Sequence, residues 1–358
     1  MTLTTWQPSD QMRLYIRKDV ASQVWNYGVG PSAAPVAEDP YKAGAVVIPA
    51  DQIFGSDRYP PLGLNAPRAI AAGLNNDFYV ADSRNNRILH ISSDGSLINE
   101  WGTFAAIDYF NGPVSESEAL KQAPLGTFSE PWGVAVGPDG SVFVTDTWNH
   151  RIQKFTKDGR PLKTWGQYGQ PLPELPESSS YFWGPRGLAV NSQGYVFVAD
   201  TGNKRIVVFD SNGTYITEFG SGGFDPGQFD EPVGVTIASD GTVYVTDTWN
   251  QRIQSFIPDQ NGTFYSPFQQ WDVNAWFGQS LDNKPFIATG ASGHVFITDP
   301  EGYRIIEFTG EGEFVRTWGE FGVGDSELGL AAGLTVDQLG FVWVTDAGNN
   351  RILRYRLP

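Results

Sequence analysis

A carboxylate, an amide and a guanidinium recur together six times along this chain, as Asp-x-x-Asn-x-Arg-Ile or a close variant. Side chains of these types can move protons, hold a cation or bind an anion, so they are the first candidates for chemistry. The copies begin at Asp82, Asp146, Asp200, Asp247, Asp299 and Asp346. A single active site needs each group once, whereas a repeated fold needs it in every copy. We therefore interpret these residues as structural: the aspartate accepts hydrogen bonds in a turn and the arginine pairs with a carboxylate.

Residues that differ between equivalent positions of the repeat are better candidates for function. A Pro-x-Gly motif, with variations, precedes the first strand of each copy, and its middle residue is Arg68, Trp132, Arg186, Val233, Phe286 or Ala332. Guanidinium groups beside aromatic faces suit an anionic group or a carbohydrate. The alternative is that Trp132 and Phe286 fill a central opening while the two arginines pair with acids of nearby loops. The sequence leaves both interpretations open.

A second variable position follows each repeated aspartate, in the turn between the second and third strands. Trp148 and Trp249 occupy it in two copies, and Arg84 occupies it in another. A tryptophan in a turn either packs under neighbouring loops or presents its ring to a ligand. Together with the first set, these positions give the predicted ligand-binding residues: Arg68, Trp132, Arg186, Phe286, Arg84, Trp148 and Trp249.

Short alternating strands must position these residues. In the second copy, apolar alternation and glycine-containing turns predict strands at 133–136, 142–146, 151–155 and 162–166. Repeats of about fifty residues made of four short strands indicate a radial array. Six such units predict an all-β fold, a six-bladed β-propeller of four-stranded antiparallel blades.

Closure of the ring can also be predicted. The fourth strands end in an aromatic residue followed by glycine, beginning with Trp101, Trp165, Phe219, Phe277 and Trp318. The chain stops after the third strand of the last copy, so we expect residues 22–28, which contain Trp25, to complete that blade. This gives an N-terminal extension at 1–21, a closing strand at 22–28, a long loop region at 29–66 and six blades at 67–358.

The two faces of the predicted propeller differ in their loops. Most turns between first and second strands, and between third and fourth strands, are minimal hairpins such as Asp139-Gly140. The opposite face carries the long blade-to-blade connections 29–66, 103–130, 167–184 and 221–231. Long loops on a rigid scaffold are where binding usually resides, so we place the candidate site on this face.

Composition excludes several classes of function. The chain has 358 residues, no cysteine and a formal charge of −16. Disulfides, zinc–thiolate sites and thiol nucleophiles are therefore excluded, and the charge disfavours nucleic acid, whose binders need a basic face. No apolar stretch approaches the ~20 residues of a membrane span, and the opening residues lack the features of a signal peptide. We expect a monomer that is not inserted in a membrane.

The six copies make the chain resemble the NHL-repeat family over about residues 65–358. The resemblance implies a binding platform, in bacteria often outside the cytoplasm, and NHL arrays also occur attached to larger membrane-anchored proteins. The locally basic stretch at 12–19 is compatible with such an attachment. We accordingly expect a location in the periplasm or at the cell surface.

Some six-bladed propellers are metal-dependent lyases or lactonases, and NHL-containing amidating lyases use histidine-bound zinc. The channel positions predicted here are small and uncharged: Ala71, Ala135, Ala189, Thr236, Thr289 and Thr335. His90, His150 and His294 occupy three different positions of the repeat, so blade symmetry does not bring them together. We predict no catalytic residue, cofactor or metal.

The sequence therefore predicts a non-enzymatic domain that recognises a glycan or a protein partner on its loop-rich face. The first alternative is a metal-dependent lyase or lactonase-like hydrolase. The second is an RNA-binding NHL domain, which the charge of −16 disfavours.

Overall fold

The computed structural model describes residues 39–55, 62–110, 112, 114–172, 179–277, 280 and 283–358. The chain divides into two compact units, 1–40 and 41–358, and every element below belongs to the second. It contains six four-stranded antiparallel sheets. The first blade consists of β2 (Pro67–Ala72), β3 (Asp77–Asp82), β4 (Arg87–Ser92) and β5 (Leu97–Trp101), and the second of β6 (Pro131–Val136), β7 (Val142–Asp146), β8 (Arg151–Phe155) and β9 (Pro161–Trp165). The third blade consists of β12 (Leu188–Val190), β13 (Val196–Asp200), β14 (Arg205–Phe209) and β15 (Tyr215–Phe219), and the fourth of β16 (Pro232–Ile237), β17 (Val243–Asp247), β18 (Arg252–Pro258) and β19 (Tyr265–Asp272). The fifth blade consists of β20 (Ile287–Thr289), β21 (Val295–Asp299), β22 (Arg304–Phe308) and β23 (Phe314–Trp318), and the sixth of β24 (Ala331–Val336), β25 (Val342–Asp346), β26 (Arg351–Tyr355) and β1 (Gln52–Phe54).

The first strands form the inner ring. Each contacts the first strand of the next blade, and β24 of the sixth blade contacts β2 of the first, so the ring is closed. Glycine permits this close approach in four blades. A Cβ on Gly133 would lie 2.4 Å from the carbonyl oxygen of Arg186, and one on Gly333 would lie 2.5 Å from that of Arg68. The six-bladed propeller predicted from the repeats is confirmed.

The closing strand is not the one that the sequence analysis predicted. β1 pairs antiparallel with β26, with Phe54 opposite Ile352, so residues 52–54 hold the fourth position of the sixth blade. The assignment of that position to residues 22–28 is wrong, and those residues lie outside the described part of the chain. Phe54-Gly55 carries the same aromatic–glycine signature as the other fourth strands. It was missed because it lies inside the segment predicted to be a long loop.

The fourth strand of the fourth blade also needs a correction. Trp271 lies opposite Ile253, as Trp165 lies opposite Ile152 in the second blade. The equivalent aromatic is therefore Trp271, and Phe277 lies beyond the strand with its side chain exposed. Trp271 is followed by aspartate, so the glycine that marks the other fourth strands is absent here.

The fourth-strand aromatics join neighbouring blades. Gly159 of the second blade packs against Trp101 of the first, and Gly95 of the first blade packs against Phe54 of the sixth. Phe54 also stacks on the buried Trp343 with ring centroids 5.6 Å apart. These contacts give the last blade the same interface with the first blade that the other blades share.

Three 3₁₀ turns, Ser83–Asn85, Thr147–Asn149 and Thr201–Asn203, lie between second and third strands. Further regular structure lies in the blade-to-blade connections and at the start of the unit. A short helix, α1 (Glu116–Gln122), occurs between the first and second blades. Two short parallel strands, β10 (Gln167–Tyr168) and β11 (Tyr181–Phe182), join the second blade to the third. A 3₁₀ turn spans Lys42–Gly44. Among the described helices none has the length and apolarity needed to cross a membrane.

Candidate functional site

The repeated Asp–Asn–Arg set is structural. In the second blade the buried carboxylate of Asp146 accepts hydrogen bonds from Arg151 Nε at 2.8 Å and from Asn149 Nδ2 at 2.9 Å. It also accepts the backbone N–H of Ser129 at 2.7 Å. The other nitrogens of Arg151 donate to carbonyl groups of the preceding connection, including that of Ala123 at 2.7 Å. Each set thus fastens a blade-to-blade connection to its blade, and the ion pair recurs in all six.

These contacts also identify the face. The backbone N–H of Trp148 donates to Ser129 O at 3.2 Å, and that of Trp249 donates to Asp230 O at 3.0 Å. The turns between second and third strands therefore lie beside the blade-to-blade connections, on the side that we call the loop face. The first strands begin at this same face, so the Pro-x-Gly positions surround its centre.

The centre of the loop face is filled by side chains. Trp132 is 1% exposed and packs in one buried cluster with Val233 and Phe286. Arg68 and Arg186 are 3% and 5% exposed. Their guanidinium carbons lie over the Trp132 ring, 4.5 Å and 4.9 Å from its centroid. Both arginines are therefore buried at the centre of the loop face, where the first strands converge.

Arg186 is an unusual buried cation. Burial lowers the pKa of its guanidinium to about 10, an effect that the charge of Glu231 opposes and that of Arg68 reinforces. Its Nε has no hydrogen-bond partner within the described ranges, and neither has the buried indole nitrogen of Trp132. Both atoms are donors. A buried charge without hydrogen-bonded compensation is costly, so it is normally found paired.

A second group of polar side chains lies beside this centre. Lys284 Nζ and Trp249 Nε1 both donate to Glu231 Oε2, at 2.5 Å and 2.7 Å. The ammonium of Lys284, itself 2% exposed, also lies 5.5 Å from the centroid of the Trp249 ring. Trp249 is 53% exposed. Its indole is thus fixed from below while a broad part of its ring faces solvent.

Electrostatic interactions connect the Glu231 group with the buried Arg186. Burial favours the neutral form of Glu231, but the charges of Lys284 and Arg186, with hydrogen bonds from Lys284 and Trp249, hold its pKa below the usual value. Burial lowers the pKa of Lys284. Glu231 therefore interacts with both cations: it bonds to Lys284, and its charge acts on Arg186.

The other predicted positions are placed differently. Trp148 is partly buried and its indole nitrogen donates to Glu130 Oε2 at 3.1 Å. Arg84 is exposed, and its backbone N–H donates to Asn65 O at 3.2 Å. The structure thus brings Arg68, Trp132, Arg186 and Phe286 together at the centre, and leaves these two in outer turns of the same face. Lys284, Glu231 and Glu130 are polar residues of this face that the sequence analysis did not select.

The histidines are held in separate structural contacts. His90 Nε2 lies 2.6 Å from Asp77 Oδ2, and its ring stacks on Tyr79. His294 Nδ1 lies 2.5 Å from Glu307 Oε1. His150 Nδ1 accepts the backbone N–H of Gly184 at 2.9 Å, and burial lowers the pKa of His150 to about 4.

The channel through the ring has a volume of about 280 Å³, and the first strands line it. Five of the six small residues named above line it, namely Ala71, Ala135, Ala189, Thr236 and Thr335, while the fifth blade contributes Phe286, Ile287 and Ala288 instead of Thr289. In the part of the chain that the structure describes, no group of three or more His, Asp or Glu side chains is arranged to hold a metal ion. The histidine-bound zinc of amidating lyases therefore does not fit the residues present.

Comparison with known proteins agrees with the fold. The model of the NHL repeat matches residues 128–155, 182–209, 229–256 and 328–355, which are parts of the second, third, fourth and sixth blades. The chain therefore contains NHL repeats within a six-bladed propeller. The resemblance drawn from the sequence is thereby confirmed.

The relatives with long sequences match this chain over a small part of their own length. The mouse peptidyl-glycine alpha-amidating monooxygenase is 35% identical over 127 residues, which are 33% of this chain and 12% of that protein. The Drosophila melanogaster protein brain tumor is 28% identical over 134 residues, 26% of this chain and 13% of that protein. The chain thus spans about an eighth of each.

Solved structures support the fold alone. A gluconolactonase from Xanthomonas campestris matches with a TM-score of 0.57 and 15% identity, over 88% of this chain and 98% of that one. An auxiliary nutrient binding protein from Bacteroides thetaiotaomicron matches with a TM-score of 0.56 and 12% identity, over 82% of this chain and 69% of that one. Propellers of this shape therefore include both enzymes and binding proteins.

Proposed function

We propose that this NHL propeller is a non-enzymatic recognition domain that binds a glycan or a protein partner at the centre of its loop face. The observation that carries the proposal is the stack of Arg68, Trp132 and Arg186. Equivalent positions in a repeat have different residues here, so the repeat does not dictate them. Arg186 is buried and its Nε has no acceptor among the described residues, an arrangement that lowers stability unless something compensates it and that favours a role in binding.

The surroundings suit recognition. Trp249 presents a fixed aromatic ring beside the buried cations. Binding sites typically combine such fixed aromatic anchors with a small number of precisely placed polar groups. The proposal includes a monomeric domain that acts outside the cytoplasm without contact with nucleic acid. The net charge of −16 supports the last point, and the use of NHL arrays in bacteria supports the location.

The second candidate is a lyase or hydrolase. The identity of 35% with the mouse amidating monooxygenase favours it, although the match covers 12% of that protein. The small, uncharged lining of the channel and the separate contacts of the three histidines favour binding instead.

A paired experiment separates the candidates. The purified chain is applied to a glycan array, and in parallel it is incubated with an α-hydroxyglycine peptide and with gluconolactone, before and after loading with zinc or calcium. We expect saturable binding on the array that an Arg186→Met variant loses, and no turnover. Turnover above that of buffer, with metal present in stoichiometric amount by elemental analysis, would refute the binding proposal.

A further inference from the structure

The unsatisfied polar atoms at the centre of the loop face share one property. Trp132 Nε1 and Arg186 Nε are both buried and both hydrogen-bond donors, and neither has an acceptor among the described residues. The structure also gives no hydrogen bond to the rest of the Arg186 guanidinium within those residues. Glu231, the carboxylate whose charge acts on Arg186, directs Oε2 to Lys284 and Trp249 instead. Donors in this setting call for an oxygen acceptor that carries negative charge.

The geometry of the Arg186 donors limits the kinds of acceptor that fit. A guanidinium is a planar fork whose paired N–H groups match the two oxygens of a carboxylate. The guanidinium carbons of Arg68 and Arg186 both lie over the Trp132 ring, so the buried Arg186 side chain is packed against it. Such a fixed fork recognises a planar carboxylate better than it recognises a hydroxyl group, because an ionised acceptor gives hydrogen bonds about twice as strong.

Trp249 adds a different requirement. Its N–H is already used by Glu231, so only the face and edge of its ring are available to a ligand. The hydrogen bond and the nearby ammonium of Lys284 hold that ring in one orientation. A rigid, half-exposed aromatic face next to buried polar side chains contributes stacking area at low entropic cost, and the apolar face of a sugar ring fits it.

From these two requirements we infer that the loop face binds an acidic saccharide, with a uronate carboxylate at the Arg186 guanidinium and a sugar ring on Trp249. The inference rests on the proposed recognition function and names its ligand class. Glu231 connects the two contacts, since it bonds to Trp249 and acts electrostatically on Arg186. A neutral glycan would leave the Arg186 charge uncompensated.

The test compares matched ligands by isothermal titration calorimetry at low ionic strength. Trimers of galacturonate, guluronate and mannuronate are each titrated beside their methyl esters, which keep the ring and remove the charge. At least one acidic trimer should bind tenfold or more tightly than its ester, and added salt should weaken the acid more than the ester. Equal affinity for every acid and its ester would overturn the inference.

Variants separate the two contacts. Arg186→Met should remove the preference for the acid over the ester while leaving the melting temperature unchanged or higher, because a buried charge that lacks a hydrogen-bonded acceptor is gone. Arg186→Lys, which keeps the charge without the fork, should retain only part of the preference. Trp249→Ala should weaken acid and ester by the same factor. Phe264→Ala removes an aromatic that is also exposed in the fourth blade, on the opposite face, and serves as the matched control.

The remaining outcomes distinguish the inference from the proposed function. If Arg186→Met lowers the melting temperature by many degrees and leaves the acid preference intact, Arg186 has a packing role and the inference is wrong. If the chain binds a neutral glycan, or a peptide carboxylate but not its amide, the saccharide assignment fails while recognition stands. If a metal-loaded chain turns over substrate and binds none of these ligands, the proposed function fails as well.

Discussion

The second and fourth blades carry the same turn with different consequences. In each, Thr-Trp-Asn follows the repeated aspartate, and a glutamate with positive φ accepts the indole N–H of the tryptophan. In the second blade the ring of Trp148 is partly buried, and Gly184 from the next blade lies beside it. In the fourth blade the corresponding residue of the next blade is Lys284, which bonds to Glu231, and Trp249 faces solvent.

The difference shows how a repeat acquires a site. The hydrogen bonds that shape the turn are common to both blades, so they belong to the scaffold. A single lysine contributed by the neighbouring blade changes a structural tryptophan into a fixed, exposed one beside buried cations. We therefore expect substitutions in the shared part to have equal effects in the two blades, and substitutions in the unshared part to have unequal effects.

The largest expected effect is in the shared part. Asp146 and Asp247 each accept hydrogen bonds from an arginine, an asparagine and a glutamine, at distances between 2.7 and 3.1 Å. Removing one partner of a buried ion pair costs about 3–5 kcal/mol. Asp146→Ala and Asp247→Ala should therefore lower the melting temperature by similar, large amounts in thermal unfolding followed by circular dichroism. If only one of the two variants had a lower melting temperature, the two turns would not be structurally equivalent.

The next effect is smaller and depends on pH. The last residue of the turn is His150 in the second blade and Gln251 in the fourth, with φ of +53° and +52°. Burial lowers the pKa of His150 from its ordinary value of 6.5 to about 4, and its Nδ1 needs its lone pair to accept the N–H of Gly184. The folded state therefore binds this proton less readily than the unfolded state does. Stability attributable to this group is complete above pH 6.5 and is lost as the pH falls toward 4.

The blade comparison supplies the variant that tests this. His150→Gln installs the residue of the fourth blade in a backbone conformation that glutamine already adopts there. In the wild type, His150 should lower the free energy of unfolding by on the order of 2–3 kcal/mol between pH 6.5 and 4. In the variant this decrease should be absent. Chemical denaturation at several pH values measures this. A variant that declines as steeply as the wild type would mean that other groups cause the acid sensitivity.

Much of the scaffold could be predicted from the sequence because it recurs. The Asp146–Asn149–Arg151 set, and in four blades the glycine at the first strand, appear at fixed spacing, and fixed spacing in a repeat translates into fixed geometry. Gly302 replaces the asparagine of the set in the fifth blade, yet Asp299 still pairs with Arg304 in the same register. The ladder of strand hydrogen bonds thus fixes the turn length, and the asparagine is not required for it.

The features that the sequence analysis missed have separate causes. Phe54 closes the ring from a strand of only three residues, which is too short to show alternation. Trp271 lacks the glycine that marks the other fourth strands. Lys284 and Glu231 are 53 residues apart in sequence and meet only because neighbouring blades adjoin. The burial of Arg68 and Arg186 likewise depends on how closely the first strands approach one another.

The third prediction concerns the tryptophan rings of the two turns, which differ in exposure. Trp249→Ala should weaken binding of an acidic trisaccharide about tenfold, equivalent to about 1.4 kcal/mol, because the exposed ring beside Lys284 is removed. Trp148→Ala should weaken binding much less and lower the melting temperature more, since that ring is mostly packed. Calorimetric titration and thermal unfolding of both variants measure the two effects. Equal losses of affinity would mean that both tryptophans contact the ligand.

The smallest effect is spectroscopic and tests the hydrogen bond that fixes Trp249. Lys284 and Arg186 outweigh the effect of burial and hold the pKa of Glu231 below its ordinary value of 4.5. The bond between Glu231 and the Trp249 indole should therefore persist at pH 4.5 and be lost only as the pH falls through that lower pKa, where protonation removes the charged acceptor. Indole ¹H–¹⁵N spectra can follow this signal, assigned with Trp249→Phe and recorded in the His150→Gln background so that the second blade stays folded in acid. Glu231→Gln keeps an oxygen acceptor and cannot titrate, so its Trp249 signal should not move with pH. A midpoint above 4.5, or a shift that survives Glu231→Gln, would show that another group positions the ring.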